Sequence, residues 1–214
     1  MNVTRIVDLT HPIRPGMPVY PGDPEARFFP AATVDADGVN LLRVEMGSQT
    51  GTHVDAPYHV EPDGLRLDAL DPALFVGPGV IADVTGRPAR TPITWDDLAP
   101  VADRLAPGRI LLVHTGWDAY WGTAAYVDHP YLTADATRQI IARGVRTIAL
   151  DAASIDAHDD EALPAHHIVA QAGGVIAENL THLGAIRFPD PLISLLPMPL
   201  TGADGAPIRA VALG

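Results

Sequence analysis

Apolar residues run almost without interruption through RILLVHTGW and VRTIALDAASID, and more briefly through GVIADV and GVIAENL. An unbroken apolar run of strand length marks a strand covered on both faces, as in a parallel sheet. Between these runs the pattern turns helical. TWDDLAPVADRLAPG predicts a helix capped by Thr94, with Asp96 and Asp97 in the first turn and Pro107-Gly108 as its stop. LTADATRQIIARG predicts a second, with Thr133 at its start, Ile140 and Ile141 inside and Gly144 past its end. LPAHHIVAQAG predicts a third, shorter one. This alternation of strand and helix argues for an α/β core with parallel pairing. RIVDLTHPI reads as a strand running into a loop and VNLLRVEMG as a strand, and LISLLPMPL and IRAVALG close the chain. The Pro-rich first third and the end of the chain look antiparallel. PIRPGMPVYPGDP reads as a rigid loop.

A length of 214 residues suits a single domain over 1–214. The 21 prolines and 19 glycines call for many turns and short elements. No Gly-rich dinucleotide fingerprint stands out. No apolar stretch approaches the roughly 18 residues of a membrane span. The opening MNVTRIVDLTHPI lacks a basic region followed by an apolar run, so no signal peptide is expected and cytoplasm is the expected compartment. The absence of cysteine excludes disulfides and thiolate chemistry and leaves metal binding to His, Asp, Glu or Gln. A net charge of −12 argues against nucleic acid as a partner and leaves a small-molecule substrate.

Chemistry concentrates in MGSQTGTHVDAPYHV. Gln49, His53, Asp55 and His59 all fall at odd positions, so an extended chain projects them to one side. Fully extended, the stretch covers roughly 30 Å, too long for one small site, so the chain is expected to fold back near Pro57. A carboxylate between two imidazoles suits Zn²⁺ or Mn²⁺; the competing reading is a turn in which Asp55 accepts backbone hydrogen bonds. A second cluster lies in PAHHIVAQAGGVIAENL. There His166 or His167 opens a helix, and Glu178 sits in a strand that otherwise reads as buried. A buried carboxylate is costly unless it binds a metal or pairs, for example with an arginine.

These segments resemble the cyclase family of metal-dependent hydrolases, whose members include bacterial kynurenine formamidase and isatin hydrolase. The family pattern His-x-Gly-Thr-His-x-Asp-x-Pro-x-x-His is matched by QTGTHVDAPYH. DLTHPIRPGMPVYPGDP, HTGWDAY and AHHIVAQAGGVIAENLTHL resemble further family segments, so the likeness covers most of the chain. The resemblance implies an α/β fold with a mixed β-sheet or barrel core flanked by helices. It implies one or two divalent ions, Zn or Mn, held by His53, Asp55, His166 and Glu178. His166 is preferred to His167 because in the family's second motif the Glu follows the His twelve residues later. His59 matches the catalytic histidine, a proton shuttle or outer ligand. Trp117 and Tyr20 would wall the substrate pocket, and Asp156 would be structural or lie behind the ligands. Gln49 stands where the family usually has a histidine ligand; a carboxamide oxygen is a weaker, neutral donor. The implied activity is arylformamidase-like cleavage of an amide, lactam or lactone. A biosynthetic cyclase, dehydratase or lactone hydrolase on the same centre, and a small-molecule-binding relative without turnover, are the alternatives. The implied assembly is a homodimer or homotetramer, with the segment from Pro12 to Pro30 as one candidate to reach across subunits.

Overall fold

The computed structural model describes residues 3–214. Its strands are β1 (Ile6–Asp8), β2 (Arg27–Ala32), β3 (Leu41–Glu45), β4 (His53–Asp55), β5 (Val76–Asp83), β6 (Pro92–Ile93), β7 (Ile110–His114), β8 (Tyr131–Leu132), β9 (Thr147–Leu150), β10 (Val175–Glu178), β11 (Leu192–Ser194), β12 (Gly205–Pro207) and β13 (Val211–Leu213). The α-helices are α1 (Val34–Asp37), α2 (Trp95–Leu98), α3 (Ala134–Ala142) and α4 (Pro164–Gln171). Nine strands make one mixed sheet in the order β1-β13-β11-β5-β7-β9-β10-β4-β12. The uninterrupted apolar runs are its parallel centre: β5, β7, β9 and β10 pair in parallel, and antiparallel strands flank them on both sides.

Alternation along β7 shows why that run has no polar phase. Leu111 and Val113 join Ile140 and Val169 of the helices in one core, whereas Ile110 and Leu112 join Val54, Ile193 and Ala212 in the other. Both faces of the sheet are therefore dry. The helix expected over TWDDLAPVADRLAPG is α-helical only for Trp95–Leu98 and continues as a 3₁₀-helix over Ala99–Arg104. Pro100 is the reason, because it has no N–H to give the carbonyl of Asp96. α3 starts at the Thr133 cap as expected, with the Thr133 hydroxyl accepting from Ala136 N.

Among the elements outside the sequence expectation, two matter here. One is β2 (Arg27–Ala32), which the sequence pattern assigns to no element and which pairs with β3 as a separate antiparallel ribbon. This ribbon exposes Phe29, Leu41, Leu42 and Val44. The other element is β12, a short strand in a Gly-rich stretch that covers the far side of β4. Among the described residues no helix is long and apolar enough to cross a membrane.

Candidate metal centre

Register brings the two distant motifs together. In the antiparallel pair β10/β4, Glu178 lies opposite His53 and Ile176 opposite Asp55. Directly opposed residues share a face, so His53, Asp55 and Glu178 project to the same side. Val54 and Ala177 point to the core on the other side. α4 packs on the functional side and delivers His166. The donors form a closed ring. His53 Nε2 lies 3.4 Å from Asp55 Oδ1 and 3.7 Å from Glu178 Oε2, and His166 Nε2 lies 3.4 Å from Glu178 Oε1 and 3.8 Å from Asp55 Oδ2. Four ligands about 2.1 Å from one ion in a tetrahedron stand roughly 3.4 Å apart, close to these spacings. All four side chains are at least nine-tenths buried.

Hydrogen bonds behind the ring fix its chemistry. His53 Nδ1 donates to the carbonyl of Gly51 at 2.8 Å, and His166 Nδ1 donates to Asp156 at 2.7 Å. Each imidazole thus presents Nε2 to the centre, the arrangement of histidine ligands held from behind by an acceptor. Asp156 also accepts the backbone N–H groups of Ala165 and His166, pinning the start of α4. Neither carboxylate oxygen of Asp55 has a hydrogen-bond partner, although both are buried. Such a group is costly unless a cation compensates it. Among the described residues no arginine pairs with Glu178; its Oε1 accepts from Ile155 N at 2.8 Å. Burial by itself depresses the two imidazoles, but the neighbouring carboxylates outweigh it. Asp55 and Glu178 raise His53 to about 9, and Asp156, Glu178 and Asp55 raise His166 to about 10. Burial pushes Asp55 up, and His53 draws it back below the ordinary carboxylate range. The cluster thus attracts positive charge, and its donors fit a divalent cation.

His167 points elsewhere, hydrogen-bonded to Glu61 at 2.8 Å near the surface. His59 leaves the 3₁₀ turn Pro57–His59 that folds the chain back after β4. Its Nδ1 lies 3.1 Å from Asp204 Oδ2 and 3.1 Å from Gln49 Nε2. A carboxylate only accepts, so the Nδ1 proton belongs to the Asp204 bond, and the Gln49 amide donates to the same carboxylate at 2.8 Å. Burial works against the His59 cation, yet the Asp204 hydrogen bond prevails and raises its pKa. In return, His59 and then Ser48 and Gln49 hold Asp204 well below the usual carboxylate range. Gln49 Oε1 is buried and has no hydrogen-bond partner. The Gln49 amide also explains Gly205: a Cβ there would lie 2.7 Å from Gln49 Nε2.

The ring opens onto a cavity of about 270 Å³ lined by Tyr20, Asp23, Trp121, Tyr126 and Leu163 together with Gln49, His53, His59, His166 and Glu178. Trp117 is not among its lining residues; it is buried behind them, donating from Nε1 to Tyr126 O at 3.0 Å. Trp121, four residues on, forms the wall and stacks at 4.0 Å on His11. Sequence reasoning also missed Asp204, which lies in a Gly-rich turn; its place beside His59 and Gln49 follows from the pairing of the adjoining β12 with β4.

Fold and donor set together define an α/β protein with a buried His/carboxylate centre on one face of a mixed sheet. The chain belongs to the Cyclase family, whose sequence model matches residues 7–157. It is 33% identical over 213 residues to a kynurenine formamidase of Bacillus cytotoxicus, covering 99% of this chain and 98% of the relative. It is 32% identical to the kynurenine formamidase of Paracidovorax citrulli, over 95% and 94% of the two chains. Among solved structures, isatin hydrolase A from Labrenzia aggregata bound to benzyl benzoate superposes with a TM-score of 0.89 at 25% identity, covering 98% of this chain and 93% of that one.

Proposed function

We propose that the protein is a metal-dependent hydrolase that cleaves the carbonyl–nitrogen bond of an aryl formamide or a cyclic amide. The observation that carries this reading is the buried Asp55 carboxylate, unpartnered among the described residues, in a donor ring whose other members, His53, His166 and Glu178, line the cavity. His53, Asp55, His166 and Glu178 hold the ion, with Gln49 Oε1 as a neutral further donor; the set suits Zn²⁺ or Mn²⁺. When bound, a divalent cation supplies Lewis-acid polarisation of a carbonyl and makes water acidic enough to attack at neutral pH. His59, its Nδ1 proton committed to Asp204, takes up a proton at Nε2 and returns it to the leaving nitrogen. Tyr20 and Trp121 flank the substrate's flat body and exclude water around it. The same geometry serves kynurenine formamidase-like and isatin hydrolase-like substrates, because both present an aryl carbonyl–nitrogen bond.

The proposal extends to a cytoplasmic homodimer or homotetramer. The ribbon β2/β3 supports self-association, since it carries several large apolar side chains in the open. Sedimentation velocity tests the assembly. The activity is tested by metal analysis of the purified protein and by turnover of N-formylkynurenine and isatin. Turnover abolished by chelation and restored by Zn²⁺ or Mn²⁺ is expected; a fully loaded protein that hydrolyses neither would overturn the assignment.

A further inference from the structure

We propose that this site selects its substrate by charge: Asp23 receives a cationic group on an aryl carbonyl substrate, and the cavity discriminates against anionic ones. This rests on the hydrolase reading above and narrows its substrate class. The chain contains no lysine, and among the described residues none of its 14 arginines lines the cavity. Beyond the metal centre and its histidines, an anionic substituent therefore meets no arginine or lysine there. The acidic side chains that do line it are Glu178, committed to the donor ring, and Asp23. Asp23 lies in the turn that Tyr20 opens, where Asp23 N donates to Tyr20 O at 3.0 Å. It thus belongs to the loop wall, apart from the strands that carry the donors.

The charges elsewhere in the site are answered. Asp55 and Glu178 together match a divalent cation. Asp156 holds His166, and Asp204 is hydrogen-bonded to His59, Ser48 and Gln49. Asp23 is half-buried, and among the described residues its carboxylate has neither an ion pair nor a hydrogen bond. Burial, the largest influence on it, pushes its pKa up, with Asp204 adding to the push and His53 and His59 opposing it. An ammonium group docked beside it relieves that burial cost, whereas a sulfonate or carboxylate adds like-charge repulsion. The net charge of −12 acts in the same direction by drawing cations towards the protein.

Three formanilides of similar size test this, bearing an aminomethyl, a hydroxymethyl or a sulfonate substituent on the ring. With metal-loaded enzyme, kcat/KM is expected to favour the ammonium over the sulfonate by about tenfold or more, chiefly through KM. Asp23→Asn is expected to lower that ratio about tenfold and Asp23→Glu to keep it; circular dichroism establishes that each variant is folded. Equal kcat/KM for the two charged substrates, or an unchanged ratio in Asp23→Asn, would overturn the proposal. If no formanilide turns over, the formamide half of the hydrolase reading fails, and charge selection is then read by calorimetry. Tighter binding of phenyltrimethylammonium than of benzenesulfonate, lost in Asp23→Asn, supports it; equal binding refutes it.

Discussion

Loading the metal-free protein with Zn²⁺ or Mn²⁺ is expected to release close to two protons at pH 7. His53 and His166 are raised to about 9 and about 10 by the carboxylates around them, so both imidazoles are protonated at neutral pH when no ion is bound. A metal ligand must be neutral imidazole, and each Nδ1 proton is already committed to Gly51 or Asp156, so the protons lost are those on the two Nε2 atoms. Calorimetric titration in buffers of different ionisation enthalpy gives the proton count directly, and that count is expected to fall towards zero above pH 10. The same shifts make the metal-free fold sensitive to alkali. Both folded values lie above the unfolded value of about 6.5, so the histidines' stabilisation is complete below about pH 6.5 and is lost as pH rises through 9 to 10. Chelated protein is therefore expected to lose on the order of a few kcal/mol between pH 7 and 10, while loaded protein, whose imidazoles are held neutral by the ion, loses much less. Release of fewer than half a proton at pH 7, or a melting temperature that climbs with pH in the chelated protein, would refute the assignment of these imidazoles as paired ligands.

His59→Ala is expected to keep its metal but lose about 10²- to 10⁴-fold in kcat; unchanged turnover removes His59 from proton transfer. Asp204→Asn takes away the bond that raises His59, so the rise of activity with pH, which requires neutral His59, is expected to move to lower pH with a roughly tenfold loss of kcat. Gln49→His is expected to tighten metal binding in a calorimetric titration; an unaltered affinity would leave Gln49 serving Asp204 alone. Gly205→Ala drives a methyl into the Val54 carbonyl and the Gln49 amide and is expected to cost about 1–3 kcal/mol, read as a lower midpoint in urea.

The parallel centre of the fold was legible because double burial writes itself as unbroken apolar runs, as in β7 and β9. The candidate donors were legible because His53, Asp55 and His59 cluster within seven residues and because Glu178 is a carboxylate in an otherwise apolar strand. His166 was separable from His167 only through the family spacing; the structure gives the physical reason, since Asp156 turns one imidazole inward while Glu61 holds the other at the surface. What sequence could not convey were contacts made by pairing across long separations. Asp204 sits in a stretch with neither period nor apolar run, and only the β12/β4 ladder brings it to His59. Trp117 and Trp121 occupy one short 3₁₀ segment and the residue that ends it, and which of them faces the cavity follows from the Gly116 turn rather than from any pattern. β2 was hidden by its proline and by having no buried face, which leave no clear alternation to read.

His53 and Asp55 ride on β4, which has only β12 between it and the open side of the sheet, whereas Glu178 belongs to β10 of the parallel interior and His166 to α4 packed on it. An ion gripped by both sets is a clasp across that seam. Amide exchange in β4 and β12 is expected to quicken on chelation while β7 and β9 stay protected. The ion that serves the reaction then also sets how long the sheet margin stays shut.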